Sequence, residues 1–250
     1  MIWVLLVLVL YVILIAPSFQ RKSFYQRKYA HRGLYSSDQS VKENSLEAFE
    51  LAIKKGYGLE LDVRLSQDDQ VVVYHDDSLS RLEGSELKVS QLTLEQLREF
   101  KVPTLVEVLS MVDSRVEVIV ELKNGQRDKL LAQETYRILK EYPGRYCIES
   151  FDPRLVFWFR RHASEVMRGQ LIQPISKYDN VLLGLLVNSL LFQFLTRPHF
   201  LAINVNSSRK NPSILINQLL GVKSCLWTVH REHNVHRKWI DSYIFEFFNA

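Results

Sequence analysis

The sequence predicts a (β/α)8 TIM barrel, an α/β fold of eight parallel strands, preceded by an N-terminal transmembrane helix. Three observations carry this. Strand-like and helix-like segments alternate through residues 28–250, as a parallel sheet with crossover helices requires. Polar residues close several of the strands (His31, Asp62, Glu121, Lys123), and such barrels carry their chemistry at the carboxyl ends of strands. No Gly-rich dinucleotide loop follows the first strand, which counts against the runner-up, an open doubly wound sheet.

The elements follow in order. Residues 2–16 are apolar without a break, and Pro17, Ser18 and Phe19 extend the uncharged run. At about 18 residues this is the short end for a membrane span. No Lys or Arg precedes it, and Ala16-Pro17-Ser18 is a poor cleavage site, so residues 1–19 read as an uncleaved anchor. A basic linker, 20–27, comes next. Arg21, Lys22, Arg27 and Lys28 all follow the run, which puts the catalytic domain on the cytoplasmic side. The domain proper is 28–250. Strands are expected at Tyr29–Gly33, Leu59–Leu65, Val116–Lys123, Arg145–Phe151, Val166–Gln173, Phe200–Asn206, Ser224–His230 and Ser242–Phe247, with Gln70–His75 as an extra hairpin arm. Helices are expected at Asn44–Lys55, Thr93–Phe100, Thr104–Val112, Arg127–Glu141, from Pro153 onward, Pro212–Leu220 and His233–Trp239.

Composition narrows the classes. The 250 residues are 47% apolar and 24% charged, enough for a large core and against disorder. The net charge of +4 comes with no dense basic run, so no nucleic acid is expected, and no protein partner is predicted. Cys147 and Cys225 lie in apolar, strand-like segments and read as buried free thiols.

Glu60 and Asp62 stand two apart on one strand, so both project to one face, with apolar Leu59 and Leu61 opposite. Two acids facing a barrel interior repel unless a positive charge lies between them. Glu121 repeats the pattern in VIVELK, with Lys123 on the same face. Three carboxylates without clustered thiols favour one hard divalent cation, Mg²⁺ or Ca²⁺. His31 precedes Arg32, whose planar fork suits phosphate oxygens, and Gly33, which permits a tight turn. His75 precedes Asp76 and Asp77, either of which can raise its basicity. Two histidines near one phosphate make a general acid and base pair.

These residues resemble the glycerophosphodiester phosphodiesterase family. The resemblance rests on His31-Arg32-Gly33, Glu43-Asn44-Ser45, Glu60-Leu61-Asp62, His75-Asp76 and Glu121-Leu122-Lys123, and spans about residues 28 to 246. It implies a metal-dependent (β/α)8 barrel. Glu60, Asp62 and Glu121 would hold the metal, and His31 and His75 would move protons. Arg32 and Lys123 would contact phosphate, with Glu43 supporting. The second half departs from the family pattern. Trp227-Thr228-Val229-His230 stands where Trp-x-Val-Asn is usual, and the last strand ends in Phe245-Glu246 instead of Thr-Asp. His230 and Glu246 are therefore expected to reshape the alcohol pocket. His162, His199, His233 and His236 read as surface or packing residues. The connection from His75 to Glu121 is short, so any lid must be small.

The expected reaction is hydrolysis of a glycerophosphodiester to glycerol 3-phosphate and an alcohol. Two alternatives differ in class: a lysophospholipase D-like enzyme on membrane lysolipids, and a non-catalytic membrane-bound binding protein. A second apolar segment, Val181–Leu195, lies outside the barrel. It reads either as a packed helix or as an interfacial helix that seats the domain on the membrane.

Overall fold

The computed structural model describes residues 2–178, 180–207, 211–233, 235 and 239–250. Helix α1 (Ile2–Ile15) comes first. Then follow β1 (Lys28–His31), α2 (Leu46–Lys54), β2 (Gly58–Leu65), β3 (Val71–Val73), α3 (Ser80–Glu83), α4 (Leu94–Glu99) and α5 (Leu105–Val112). Next are β4 (Val118–Leu122), α6 (Asp128–Leu139), β5 (Tyr146–Ser150), α7 (Pro153–His162), β6 (Met167–Ile172), α8 (Val181–Asn188) and α9 (Gln193–Thr196). The chain ends with β7 (Phe200–Asn204), α10 (Pro212–Leu219), β8 (Lys223–Val229) and β9 (Ser242–Phe245).

Strand order is β1-β9-β8-β7-β6-β5-β4-β2, and β1 pairs with β2 to close the barrel. All these pairs are parallel, while β3 adds antiparallel to β2 as the hairpin arm. Period-two alternation builds two layers. Tyr29, Ile119, Cys147, Phe200, Cys225 and Ile244 fill the barrel interior. Leu59, Leu61 and Val63 face outward onto Phe49, Ala52 and Leu105 of the helical ring. Gly169 makes room inside: a Cβ there would overlap the Phe200 ring. Helix starts are capped by side chains. Ser45 accepts from the Ala48 amide, Thr104 and Glu107 form a capping box, and Asp152 caps α7 ahead of Pro153.

The transmembrane anchor expected over residues 1–19 is not supported by a spanning helix among the described residues. Helix α1 has 14 residues, a length of about 21 Å against about 30 Å of hydrocarbon. No helix among the described residues is long and apolar enough to cross a membrane. The last turn of α1 is built into the barrel wall. Ile15 is buried, Asn217 donates to its carbonyl, and Arg197 donates to the carbonyls of Ile13 and Ala16. Pro17 follows and has no amide hydrogen with which to continue the helix. The 20–27 linker is docked as well. Phe24 lies edge-on to Tyr29 and Phe200, and the Tyr25 and Gln26 amides donate to Glu117.

Smaller differences also have causes. Strand β3 stops at Val73, so His75 stands beyond it in a loop. The segment Val181–Leu195 is broken into α8 and α9, where Leu190 takes a left-handed backbone (φ 62°). The expected helix His233–Trp239 and His236 fall largely or wholly outside the described residues. Cys147 and Cys225 are buried free thiols. His199 is buried and accepts from the Arg168 amide, whereas His162 stacks on Trp158 at the surface.

Candidate active site

Strand β2 delivers Glu60 and Asp62 to the carboxyl end of the barrel, and register pairs Asp62 with Glu121 of β4. One oxygen from each of the three buried carboxylates lies within 4.8 Å of the others. Lys123 Nζ stands 2.6 Å from Glu121 Oε1 and 2.9 Å from Asp62 Oδ1. The Asn44 amide donates to Asp62 Oδ2 at 2.8 Å. Asp62 Oδ1 is fully buried and faces the Lys123 ammonium. Three converging hard oxygen donors in one buried cluster fit a divalent cation.

The HRG turn places its groups as the sequence suggests. Arg32 takes a left-handed backbone (φ 52°), which aims its amide at Glu60 Oε2, 3.1 Å away. Its guanidinium lies 2.7 Å from Glu43 and 3.2 Å from Asp62. Gly33 is required on two counts: its φ is +82°, and a Cβ would come within 2.7 Å of the Ala48 backbone. Glu43 also binds Arg81, whose Nε reaches Asp76, which in turn accepts from His75 Nδ1 at 2.6 Å. One chain of ionic contacts thus joins Arg32 to His75. Of the two acids after His75, Asp76 is the ring's partner, while Asp77 pairs with Lys88.

His31 has a matching arrangement. Its Nδ1 lies 2.8 Å from Glu246 Oε2, and Glu246 also accepts from Tyr35 at 2.6 Å. His31 Nε2 faces Glu60 at 3.9 Å. With each Nδ1 occupied, Nε2 of either ring is left for chemistry.

Burial and crowding set the charges. Burial pushes Glu60 well above the usual carboxylate range, and neighbouring Asp62 and Glu121 push it further. Burial acts on Asp62 the same way, but Lys123, His75 and Arg32 outweigh it and hold Asp62 well below that range. Glu121 is raised by burial, against the pull of Lys123. Burial lowers His31 despite its bond to Glu246. Burial would raise Glu246, yet the bond from His31 carries it down to about 2.

All eight predicted site residues therefore gather at one end of the barrel. The sequence reading gave no role to Asn44, Arg81 or Tyr35, and treated Glu246 only as a departure in the alcohol pocket. It also passed over Glu149, which ends β5 as Glu121 ends β4 and sits opposite it in register. The signal was present, since YCIES repeats the apolar-strand-then-acid pattern of VIVEL. Arg81 left no such signal, because it lies in the one-turn helix α3, too short to carry a periodic pattern.

Comparison with known proteins places these features. The sequence profile of the glycerophosphoryl diester phosphodiesterase family matches residues 31–241. A glycerophosphodiester phosphodiesterase of Caldanaerobacter subterraneus subsp. tengcongensis is 27% identical over 233 residues, covering 83% of this chain and 87% of that protein. The crystal structure of a glycerophosphodiester phosphodiesterase from Thermotoga maritima matches with a TM-score of 0.70 at 27% identity, covering 90% of this chain and 95% of that one. An Oleispira antarctica phosphodiesterase, solved in complex with the product sn-glycerol-3-phosphate, shares the fold with a TM-score of 0.70 at 22% identity, over 88% of this chain and 92% of that one.

Proposed function

We propose, from the premise that the chain belongs to the glycerophosphoryl diester phosphodiesterase family, that this site hydrolyses glycerophosphodiesters to glycerol 3-phosphate and an alcohol. The observation that carries the reading is the buried Glu60–Asp62–Glu121 cluster flanked by two histidines, each with Nδ1 on a carboxylate of its own.

Glu60, Asp62 and Glu121 would hold one divalent cation, Mg²⁺ or Ca²⁺. It would supply Lewis-acid neutralisation of charge on the phosphoryl oxygens. Arg32 and Lys123 add fixed positive charge on the same side, where charge builds up as the diester is attacked. His31 and His75 handle the protons. One takes a proton from the attacking hydroxyl at its Nε2, and the other gives one to the departing alkoxide. Glu246 and Asp76 hold the two rings in the tautomer that this requires. Glu43, clamped by Arg32 and Arg81, keeps the guanidinium of Arg32 from swinging away.

The test is release of glycerol 3-phosphate from a panel of water-soluble diesters by wild type, His31→Ala and His75→Ala. The account expects turnover in wild type and loss of at least about a hundredfold in each variant, with unchanged thermal unfolding. Wild-type rates in either variant would remove that histidine from the mechanism.

A second reading concerns where the enzyme works. We infer that it rests on a lipid surface without spanning it. Ile2 to Leu10 are at least 49% exposed at every position, on all sides of α1. A protein groove would cover one face of such a helix, whereas a lipid phase accommodates all of them. Tyr11 bonds to Ser213 at the start of α10, and Ile15 to Asn217 one turn further on. Helix α10 starts at the carboxyl end of β7, so the free half of α1 extends past the rim that carries the site. Val181, Leu182 and Leu185 of α8 add exposed apolar area. This seating supports lysolipids as additional substrates. The two free thiols support a reducing, cytoplasmic compartment.

A further inference from the structure

A groove of about 430 Å³ runs outward from the catalytic cavity, and apart from Lys123 its lining has no part in the chemistry described so far. The two spaces share Arg64, Asp77, Lys123 and Asn124, so the groove continues the cavity that holds His75 and Glu121. One wall is the end of β2 and the loop after β4. The other is the short connection after β3, which contributes Asp77, Lys88 and Gln91.

This wall is held in place. Arg64 Nε donates to the His75 carbonyl at 2.9 Å, and Lys88 Nζ reaches Asp77 at 2.8 Å. The Arg127 guanidinium is bound to the Ser66 carbonyl and Asp69. The aliphatic lining residues, Leu65, Val89 and Leu131, are each at most 7% exposed and lie beneath the polar ones. None of the residues lining the groove is aromatic, and four are cationic against two acidic.

That chemistry is selective. A quaternary ammonium is recognised by aromatic faces, and the groove lining offers none. A hydroxyl-rich alcohol finds donors in Arg64, Lys88 and Asn124 and acceptors in Asp77 and Gln91. Asp77, Lys88, Gln91 and Asn124 are exposed along the groove, so its preference comes from direct hydrogen bonds to the hydroxyls of an entering alcohol.

We propose that this groove is the leaving-alcohol subsite, and that it selects a polyhydroxylated head group, glycerol or inositol, over choline. The proposal rests on the diesterase reading of the adjoining site and names the substrate class for it.

The experiment compares kcat/KM for glycerophosphoinositol, glycerophosphocholine and the methyl ester of glycerol 3-phosphate, in wild type and in Lys88→Ala/Gln91→Ala. The methyl ester carries no head group that reaches the groove, so it reports the chemistry alone. The proposal expects wild type to favour the inositol diester over the choline diester by about tenfold or more. It expects the double variant to lose most of that ratio through KM, with the methyl ester unchanged. Equal or better use of the choline diester by wild type would overturn the subsite assignment. So would a variant that slows all three substrates alike. Failure to hydrolyse any of the three would instead overturn the diesterase reading, and the subsite with it.

Discussion

Replacing Glu246 with Gln tests the arrangement around His31. In wild type the carboxylate accepts from His31 Nδ1 at 2.8 Å and from Tyr35 at 2.6 Å. The substitution keeps size and one acceptor oxygen but removes the charge that stabilises a protonated ring. A hydrogen bond to a charged group contributes about 1.5–3 kcal/mol, so kcat should fall about 10- to 150-fold if it is fully expressed in the transition state. Stability supplies a second readout. Glu246 is depressed to about 2 from an ordinary 4.5. A depressed carboxylate stabilises the fold fully above pH about 4.5, and that contribution disappears as pH falls towards about 2. The shift corresponds to about 3 kcal/mol before solvent screening, and to about 1–2 kcal/mol once the partial exposure of the group is allowed for. Glu246→Gln should therefore lose stability at pH 7 and show a shallower acid denaturation between pH 4.5 and 2. The assay is steady-state turnover on a soluble diester, paired with urea unfolding at several pH values. Wild-type kcat in this variant would refute the positioning role. So would a defect confined to KM, or full recovery of activity whenever stability is restored.

Three further outcomes follow from the same geometry. Gly169→Ala should destabilise the barrel by about 1–3 kcal/mol, because the new methyl group meets the Phe200 ring; thermal melting would show it. Glu149 is raised well above the usual range by burial and by Glu121, so it takes up a proton on folding and its stability contribution is lost as pH rises above the unfolded value. In metal-free protein Glu149→Gln should melt higher than wild type at pH 7.5, with the difference closing near pH 4.5. Leu182→Glu with Leu185→Glu should weaken co-sedimentation with lipid vesicles and leave melting unchanged, since both side chains are at least 50% exposed; undiminished binding would count against the lipid-facing reading of α8.

Much of the fold was legible because period-two apolar runs and helix caps are local signals. The segments around Glu60 and Glu121 fell into place on alternation alone, and Pro153 marked a helix start. The site was legible for a related reason. In a parallel barrel every strand end points the same way, so acids closing apolar strands must converge. What was not legible depends on distant packing. The apolar run and Pro17 are local signals of a short helix, but where α1 docks is not: Asn217 and Arg197, some two hundred residues away in sequence, bind its last carbonyls. The Glu246–His31 bond joins opposite ends of the chain, and Arg81 reaches Glu43 from a four-residue helix too short for a periodic signal. Leu190 broke a long apolar run through backbone geometry that its residue type does not announce.

The most direct test of the central claim is a metal titration of turnover. Protein stripped with EDTA would be assayed on a soluble glycerophosphodiester while Mg²⁺ or Ca²⁺ is restored, beside Asp62→Asn and Glu121→Gln. Activity that is absent without metal, returns with one ion per chain, and is lost in both variants is the predicted result. Full turnover in EDTA, or metal binding that survives both substitutions, would contradict the assignment of Glu60, Asp62 and Glu121 as the metal site.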